Sequence, residues 1–276
     1  MSGSYVYESE KNVVRLLQVT DPHLFADEAG ELLGINTLAS FEQVLKEVRQ
    51  QSFAYDLVLA TGDLVQDSSD EGYLRFCQRI NQLEKEIFWI PGNHDYLPKM
   101  IKWLNSSQGN LHAQKHILAG KYWQILLLDS QVFGVPHGYL AEYQLEWLQE
   151  KLQTYPEHYS LIVLHHHILP TNSAWLDQHN LRNTHELSAI LTRFPKVKGI
   201  LYGHIHQQVD AQWNGLALMA TPSTCIQFKP DCAKFTLDNL QPGWREITLN
   251  KNGTIDTQVH RIKQATFLPN FREEGY

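Results

Sequence analysis

Five short blocks of the chain carry metal-type side chains: Asp21-Pro22-His23, Gly62-Asp63, Gly92-Asn93-His94-Asp95, His165-His166-His167 and Gly203-His204-Ile205-His206. Aspartate, asparagine and histidine together are the donor set of borderline or hard divalent cations such as iron, manganese, cobalt and zinc, whereas a soft thiolate site would need clustered cysteines. So many donors exceed what one ion takes and suit two ions sharing a bridging carboxylate. Each block alone has an ordinary explanation. Gly-Asp is commonly a turn, a histidine triplet can be packed core, and alternating histidines can line one face of a strand. Their conjunction, each block following an apolar run, points to one metal site.

The elements that must position these blocks are legible from periodicity. An apolar run through residues 13–19 ends at Asp21, and runs at 56–60 and 87–90 end at Asp63 and at Asn93. Helical spacing between them predicts helices over residues 36–50 and from Tyr73 to Leu83. Three strand–helix units in succession imply parallel strands joined by crossover helices, hence an α/β fold. Further strands are predicted at 123–128, 161–164 and 198–202, with helices over 140–155 and 184–194. The period then shortens to strands at 207–213, 216–219, 245–249 and 254–260, with Asn214-Gly215 as a hairpin signal. No repeat or linker divides the chain. We expect an arm over 1–12, a single domain over 13–265 and a polar, loosely ordered tail over 266–276.

Composition narrows the function class. A formal net charge of -7 without any run of lysine or arginine gives no basis for gripping nucleic acid. No apolar stretch approaches the ~20 residues of a membrane-spanning helix, and the first residues lack the apolar core of a signal peptide. Three cysteines make no disulfide framework and fit a reducing compartment, so a cytoplasmic location is expected. Histidine, at 14 residues, is unusually frequent. Oligomeric state has no signature in the sequence.

The five blocks, in this order, resemble the signature of the calcineurin-like metallophosphoesterase superfamily. Leu126 to Gly134, Trp175-Leu176-Asp177-Gln178-His179 and Thr221-Pro222-Ser223-Thr224-Cys225 are similar to segments of the bacterial class III 3′,5′-cyclic-AMP phosphodiesterases. The resemblance implies a four-layer αββα sandwich, two packed, mostly mixed sheets flanked by helices. It implies two divalent metal ions, the first held by Asp21, His23 and His206, the second by Asn93, His165 and His204, with Asp63 bridging. His165 is chosen over His166 and His167 because it comes first after the strand. The implied chemistry is in-line attack of a metal-bridging hydroxide on a cyclic phosphodiester, here cyclic AMP, yielding 5′-AMP. His94 is the expected proton donor or transition-state stabiliser, and His23, Asp63, Asn93, His94 and His206 would face the substrate. Many relatives orient that histidine with an aspartate three residues beyond the bridging one. Here Gln66 stands there with Asp67 beside it, leaving Asp95 or a backbone carbonyl as alternatives. The blocks alone also fit a phosphomonoester, a 2′,3′-cyclic nucleotide, a phosphoprotein or a lipid pyrophosphate as substrate. A scaffold that has lost catalysis is the contrasting class, disfavoured because no ligand position is missing. The loop 175–180 reads equally as a nucleotide cap or as a surface loop with one packed tryptophan, and Phe228 and Trp244 read as core.

Overall fold

The computed structural model describes residues 3–106 and 109–275. Met1, Ser2 and Tyr276, the outermost residues of the expected arm and tail, lie outside the described residues. The first half runs β1 (Tyr5–Tyr7), β2 (Val13–Val19), a small hairpin β3 (Glu31–Leu32) and β4 (Ile35–Asn36), α1 (Thr37–Gln50), β5 (Leu57–Thr61), α2 (Asp70–Ile80), β6 (Glu86–Ile90) and α3 (Leu97–Ser106). The middle adds β7 (Leu111–His112), β8 (His116–Ala119), β9 (Trp123–Leu127), α4 (Glu142–Thr154), β10 (Tyr159–Val163), α5 (Thr184–Leu191) and β11 (Val197–Tyr202). The chain closes with β12 (Val209–Trp213), β13 (Leu216–Ala220), β14 (Gly243–Asn250) and β15 (Ile255–Arg261).

Two sheets result, one ordered β1-β8-β9-β10-β11-β13-β12 and the other β15-β14-β2-β5-β6-β7. The central neighbours β2, β5 and β6, and likewise β9, β10 and β11, are parallel, as the strand–helix alternation requires. Their strands are apolar on both faces because both faces are covered. In β2, Leu16 enters the core between the sheets, where Leu59, Phe88, Leu127 and Leu161 also sit. Its neighbour Leu17 points the other way, into a core shared with Phe41, Phe76 and Met100 of the helices. Beyond the second sheet, Ile162 and Ile200 pack with Trp147 and Leu187 of the helices on that side. The layers are therefore helix, sheet, sheet, helix.

Local signals start the helices where they are found. Asn36 caps α1 by accepting from the Ala39 amide at 2.7 Å, and Ser69 caps α2 by accepting from Gly72 at 3.1 Å. At the β12–β13 turn Asn214 and Gly215 have φ of 51° and 80°, the left-handed pair a tight hairpin demands. That hairpin extends one sheet and β14–β15 the other, both antiparallel.

The ends depart from expectation. The arm contains β1, which pairs with β8 in parallel, Tyr5 opposite Ile117. The tail is docked rather than loose. The Phe267 amide donates to Gln241 Oε1 at 3.1 Å, the Asn270 amide to Leu33 O at 2.7 Å, and Phe267 packs on both outer cores.

Arg245 joins the two sheets where their antiparallel edges meet. Its buried guanidinium donates to Asp210, Thr221 and Thr257 and to the carbonyls of Val209 and Ala220, at 2.6–3.1 Å. Replacing it with a similar-sized apolar side chain strips those oxygens of their donor. Asp210 is 45% exposed and can fall back on water, which places the cost at the low end for a broken buried pair. Arg245→Met is expected to lose about 2–3 kcal/mol of stability. A urea midpoint equal to wild type would contradict this.

Candidate metal centre

Asp21 follows β2, Asp63 follows β5, Asn93 follows β6, His165 follows β10, and His204 and His206 follow β11, all within four residues of a strand's carboxyl end. In an open α/β sheet that end is where ligands collect. Asp21, His23, Asp63, His204 and His206 all adopt left-handed backbone, with φ between 48° and 67°. Aspartate and histidine are among the few types that tolerate this conformation, and its clustering marks a functional site. The bends turn side chains from both sheets toward one point.

Two groups of donors form there. Asp21, His23 and His206 offer atoms within 4.8 Å of one another, as do Asp63, His165 and His204. His206 Nε2 lies 3.3 Å from Asp21 Oδ1, and 3.2 Å from His23 Nε2. Asp63 Oδ2 lies 3.3 Å from His165 Nε2 and 3.9 Å from His23 Nε2, so this one oxygen faces both groups. Its other oxygen accepts the His94 amide at 2.8 Å.

Each imidazole is tied down on one nitrogen. His23 Nδ1 donates to Gln66 Oε1 (2.6 Å), His165 Nδ1 to Thr61 O (2.7 Å), His206 Nδ1 to Ile226 O (3.0 Å) and His204 Nε2 to His179 O (3.1 Å). Because these partners are acceptors, the tied nitrogen carries a proton, which makes the opposite nitrogen the one able to offer a lone pair to a cation. Burial reinforces this by driving the His23 pKa down to about 3 and the His204 pKa well below the usual value. The His165 pKa is raised; burial opposes its charge, but Asp63 and Asp21 outweigh it. Burial likewise opposes charge on Asp21 and Asp63, yet the neighbouring imidazoles hold both below the ordinary carboxylate range. Neutral imidazoles and ionised carboxylates are the forms that bind cations.

The donor set also leaves a polar atom that an additional partner would satisfy. Asn93 Oδ1 is buried without a hydrogen-bond partner among the described residues. Such groups are costly in a finished interior. The residues present therefore fit divalent cations.

Support for these turns comes from segments whose purpose was opaque in the sequence. Ser223 Oγ donates to Asp21 O at 2.7 Å and the Thr224 amide to Thr20 O at 3.0 Å, bracing the first bend. Gln131 Nε2 donates to the carbonyls of Gly92 and Asp95, both at 2.6 Å, clamping the loop that presents Asn93 and His94. Ser130 is hydrogen-bonded to His166 at 2.8 Å, and His167 stacks on His204, so only the first histidine of the triplet joins the donor groups. Phe228 is core, as expected, but its ring also lies flat on His206, centroids 4.4 Å apart.

The side chains weighed as partners of His94 make other hydrogen bonds. Gln66 serves His23, and Asp67 accepts from the Ala26 and Ser69 amides at 2.9 and 3.1 Å. Asp95 spends its oxygens on the amides of Leu64, Val65 and Gly92 and on the Tyr73 hydroxyl. It thereby staples the Asp63 turn to the Asn93 loop. His94 is half-buried, its ring edge-to-face with His23 at 5.1 Å, and it is also within ligand range of His23 and Asp63.

A Cβ added at Gly92 would collide with the Asp63 carboxylate and backbone nitrogen. Gly92→Ala should displace Asp63 and reduce turnover about 10²-fold, since ångström-scale misplacement has effects of that size. Steady-state kinetics showing a loss below threefold would refute the close-approach argument.

The two-sheet sandwich with this carboxylate–imidazole cluster defines the class, a metallophosphoesterase. Residues 14–208 match the sequence profile of the calcineurin-like phosphoesterases, and the chain belongs to that family. It is 63% identical over the full length of both chains to the 3′,5′-cyclic adenosine monophosphate phosphodiesterase CpdA of Haemophilus influenzae. It is 51% identical to the protein of that name in Escherichia coli K12, over 95% of each chain. Among solved structures it shares its fold with a dimetal phosphatase from Danio rerio at a TM-score of 0.62 and 14% identity, covering 91% of this chain and 99% of that one. The family implies divalent metal, and the donor groups above are where it would bind.

Proposed function

We propose that this chain hydrolyses 3′,5′-cyclic AMP to 5′-AMP, using two divalent metal ions held by Asp21, His23 and His206 and by Asn93, His165 and His204, with Asp63 shared. The observation that carries the substrate is the 63% identity, over the whole of both chains, to a protein named for that reaction. Bound divalent ions supply Lewis acidity, lowering the pKa of water and offsetting phosphate charge. The protein's part is to place the phosphate and manage the proton. His23, Asp63, Asn93, His94 and His206 face the reacting phosphate. A water-derived oxygen bonds to phosphorus as the bond to the 3′-oxygen breaks, and that oxygen must gain a proton. His94 is the group assigned to give it, since its half-buried ring borders both the donor groups and the adjoining cavity.

A cytoplasmic location belongs to the same reading, supported by a cysteine count of three, too few for a disulfide framework. Among the described residues no helix is long and apolar enough to cross a membrane. The test is turnover by metal-loaded protein of cyclic AMP against 2′,3′-cyclic AMP, p-nitrophenyl phosphate and bis-p-nitrophenyl phosphate, alongside metal analysis. Cyclic AMP is expected to have the highest kcat/KM. A preference for the monoester, or full activity after chelation, would overturn the proposal.

A further inference from the structure

A cavity of about 440 Å³ adjoins the metal centre, within the ~300–1,000 Å³ usual for small-molecule sites. Where it meets the centre it is lined by Asn93, His94 and His204, members of the second donor group and its neighbour. Asp21, His23 and His206 do not line it. A phosphate at the centre would thus send the rest of its substrate out past His94.

The remainder of the lining is chiefly apolar: Val135, Pro136, Trp175, Leu176 and Phe235, with His179 the added polar side chain. Among the described residues no lysine or arginine lines it, so it is unsuited to a second phosphate or an acidic peptide and suited to a flat, uncharged ring. Trp175 is held by two rings at once, edge-on to Phe235 and to Phe228, with centroids 5.0 Å away in both cases. Trp175 and Phe235 come from different loops, and these loops are tied together. Asn172 Nδ2 donates to Asp231 Oδ1 at 3.0 Å, and the Cys232 amide donates to Ser173 Oγ at 3.2 Å. Partial burial fixes both rings within the cluster while leaving part of each uncovered.

We infer that this cavity is the nucleoside subsite, where Trp175 and Phe235 form the wall against which the purine base stacks and Val135 and Pro136 complete the slot. The inference rests on the cyclic-AMP reading above and adds to it the residues that select a nucleotide over other phosphodiesters. Every base has a π-face, and loss of an aromatic stacking partner reduces affinity by roughly tenfold or more. The wall also shares its loop with the metal centre, because the carbonyl of His179 is the one that fixes the ring of His204.

The experiment compares wild type, Trp175→Ala, Phe235→Ala and Trp175→Phe as metal-loaded proteins. Each alanine variant should lose tenfold or more in kcat/KM for cyclic AMP, while the inhibition constant of inorganic phosphate changes less than twofold. Trp175→Phe should recover most of the loss. Adenosine, which carries no phosphate, is titrated calorimetrically in parallel and should bind wild type at least tenfold more tightly than either alanine variant. Alanine variants within twofold of wild type on cyclic AMP and adenosine would overturn the subsite. So would an equal loss of phosphate inhibition, which would mean damage to the centre itself. A wild type that ignores cyclic AMP but binds adenosine through these rings would instead sink the activity while sparing the wall.

Discussion

Asp63→Asn is expected to reduce cyclic-AMP turnover on the order of 10³-fold and to lower bound metal below the wild-type ratio. The substitution is nearly isosteric. Asparagine keeps an oxygen to accept the His94 amide, so the loop geometry survives while the negative charge does not. What disappears is the single carboxylate oxygen facing His165 and His23 together. Two cations held close repel each other strongly in a buried site, and an anion between them offsets that repulsion. Elemental analysis with steady-state kinetics checks the result. Full metal content with turnover within tenfold of wild type would overturn the bridging role proposed for Asp63.

His94→Ala is expected to leave metal content unchanged and to lower kcat for cyclic AMP roughly 10²–10³-fold, the usual worth of a positioned acid. The diagnostic is the leaving group. A ribose 3′-oxygen departs poorly as an alkoxide, whereas p-nitrophenolate departs readily without a proton. Hydrolysis of bis-p-nitrophenyl phosphate should therefore suffer much less. Equal losses on both substrates would mean that His94 stabilises or positions the phosphate rather than supplying the proton. Because His94 also lies within ligand range of His23 and Asp63, a drop in metal content would instead make it a ligand.

The strand ends were readable because each ligand block follows a run that is apolar on both faces, and such runs are rare outside covered sheets. Position alone distinguished His165 from its two neighbours. The geometry gives the reason: at the strand's end only its ring turns toward Asp63, while His166 turns to Ser130. The tautomer-fixing partners were beyond reach of sequence. The carbonyls of Thr61, His179 and Ile226 belong to residues with no chemical signature, and they are met only through the fold. Gln66 stands where many relatives carry the aspartate that orients the histidine matching His94, and a local spacing rule does not show that it faces His23. The short strands β1 and β7, of three and two residues, carry too little pattern to read, and β1 is fixed by long-range pairing with β8.

The left-handed bends at Asp21, His23, Asp63, His204 and His206 make one demand on these positions and cation binding makes another. Alanine meets neither. Asparagine meets the first but not fully the second, and glycine meets the first alone. An alanine scan would thus mix loss of the proposed coordination with a backbone penalty of about 1–2 kcal/mol at each site. Glycine and asparagine replacements separate the two, and apo-protein melting should move less for glycine than for alanine at all five. The same overlap restricts drift. On the proposed assignment, a position that gives up its ligand to most other residue types must also give up its bend, so the centre and the turns that carry it change together.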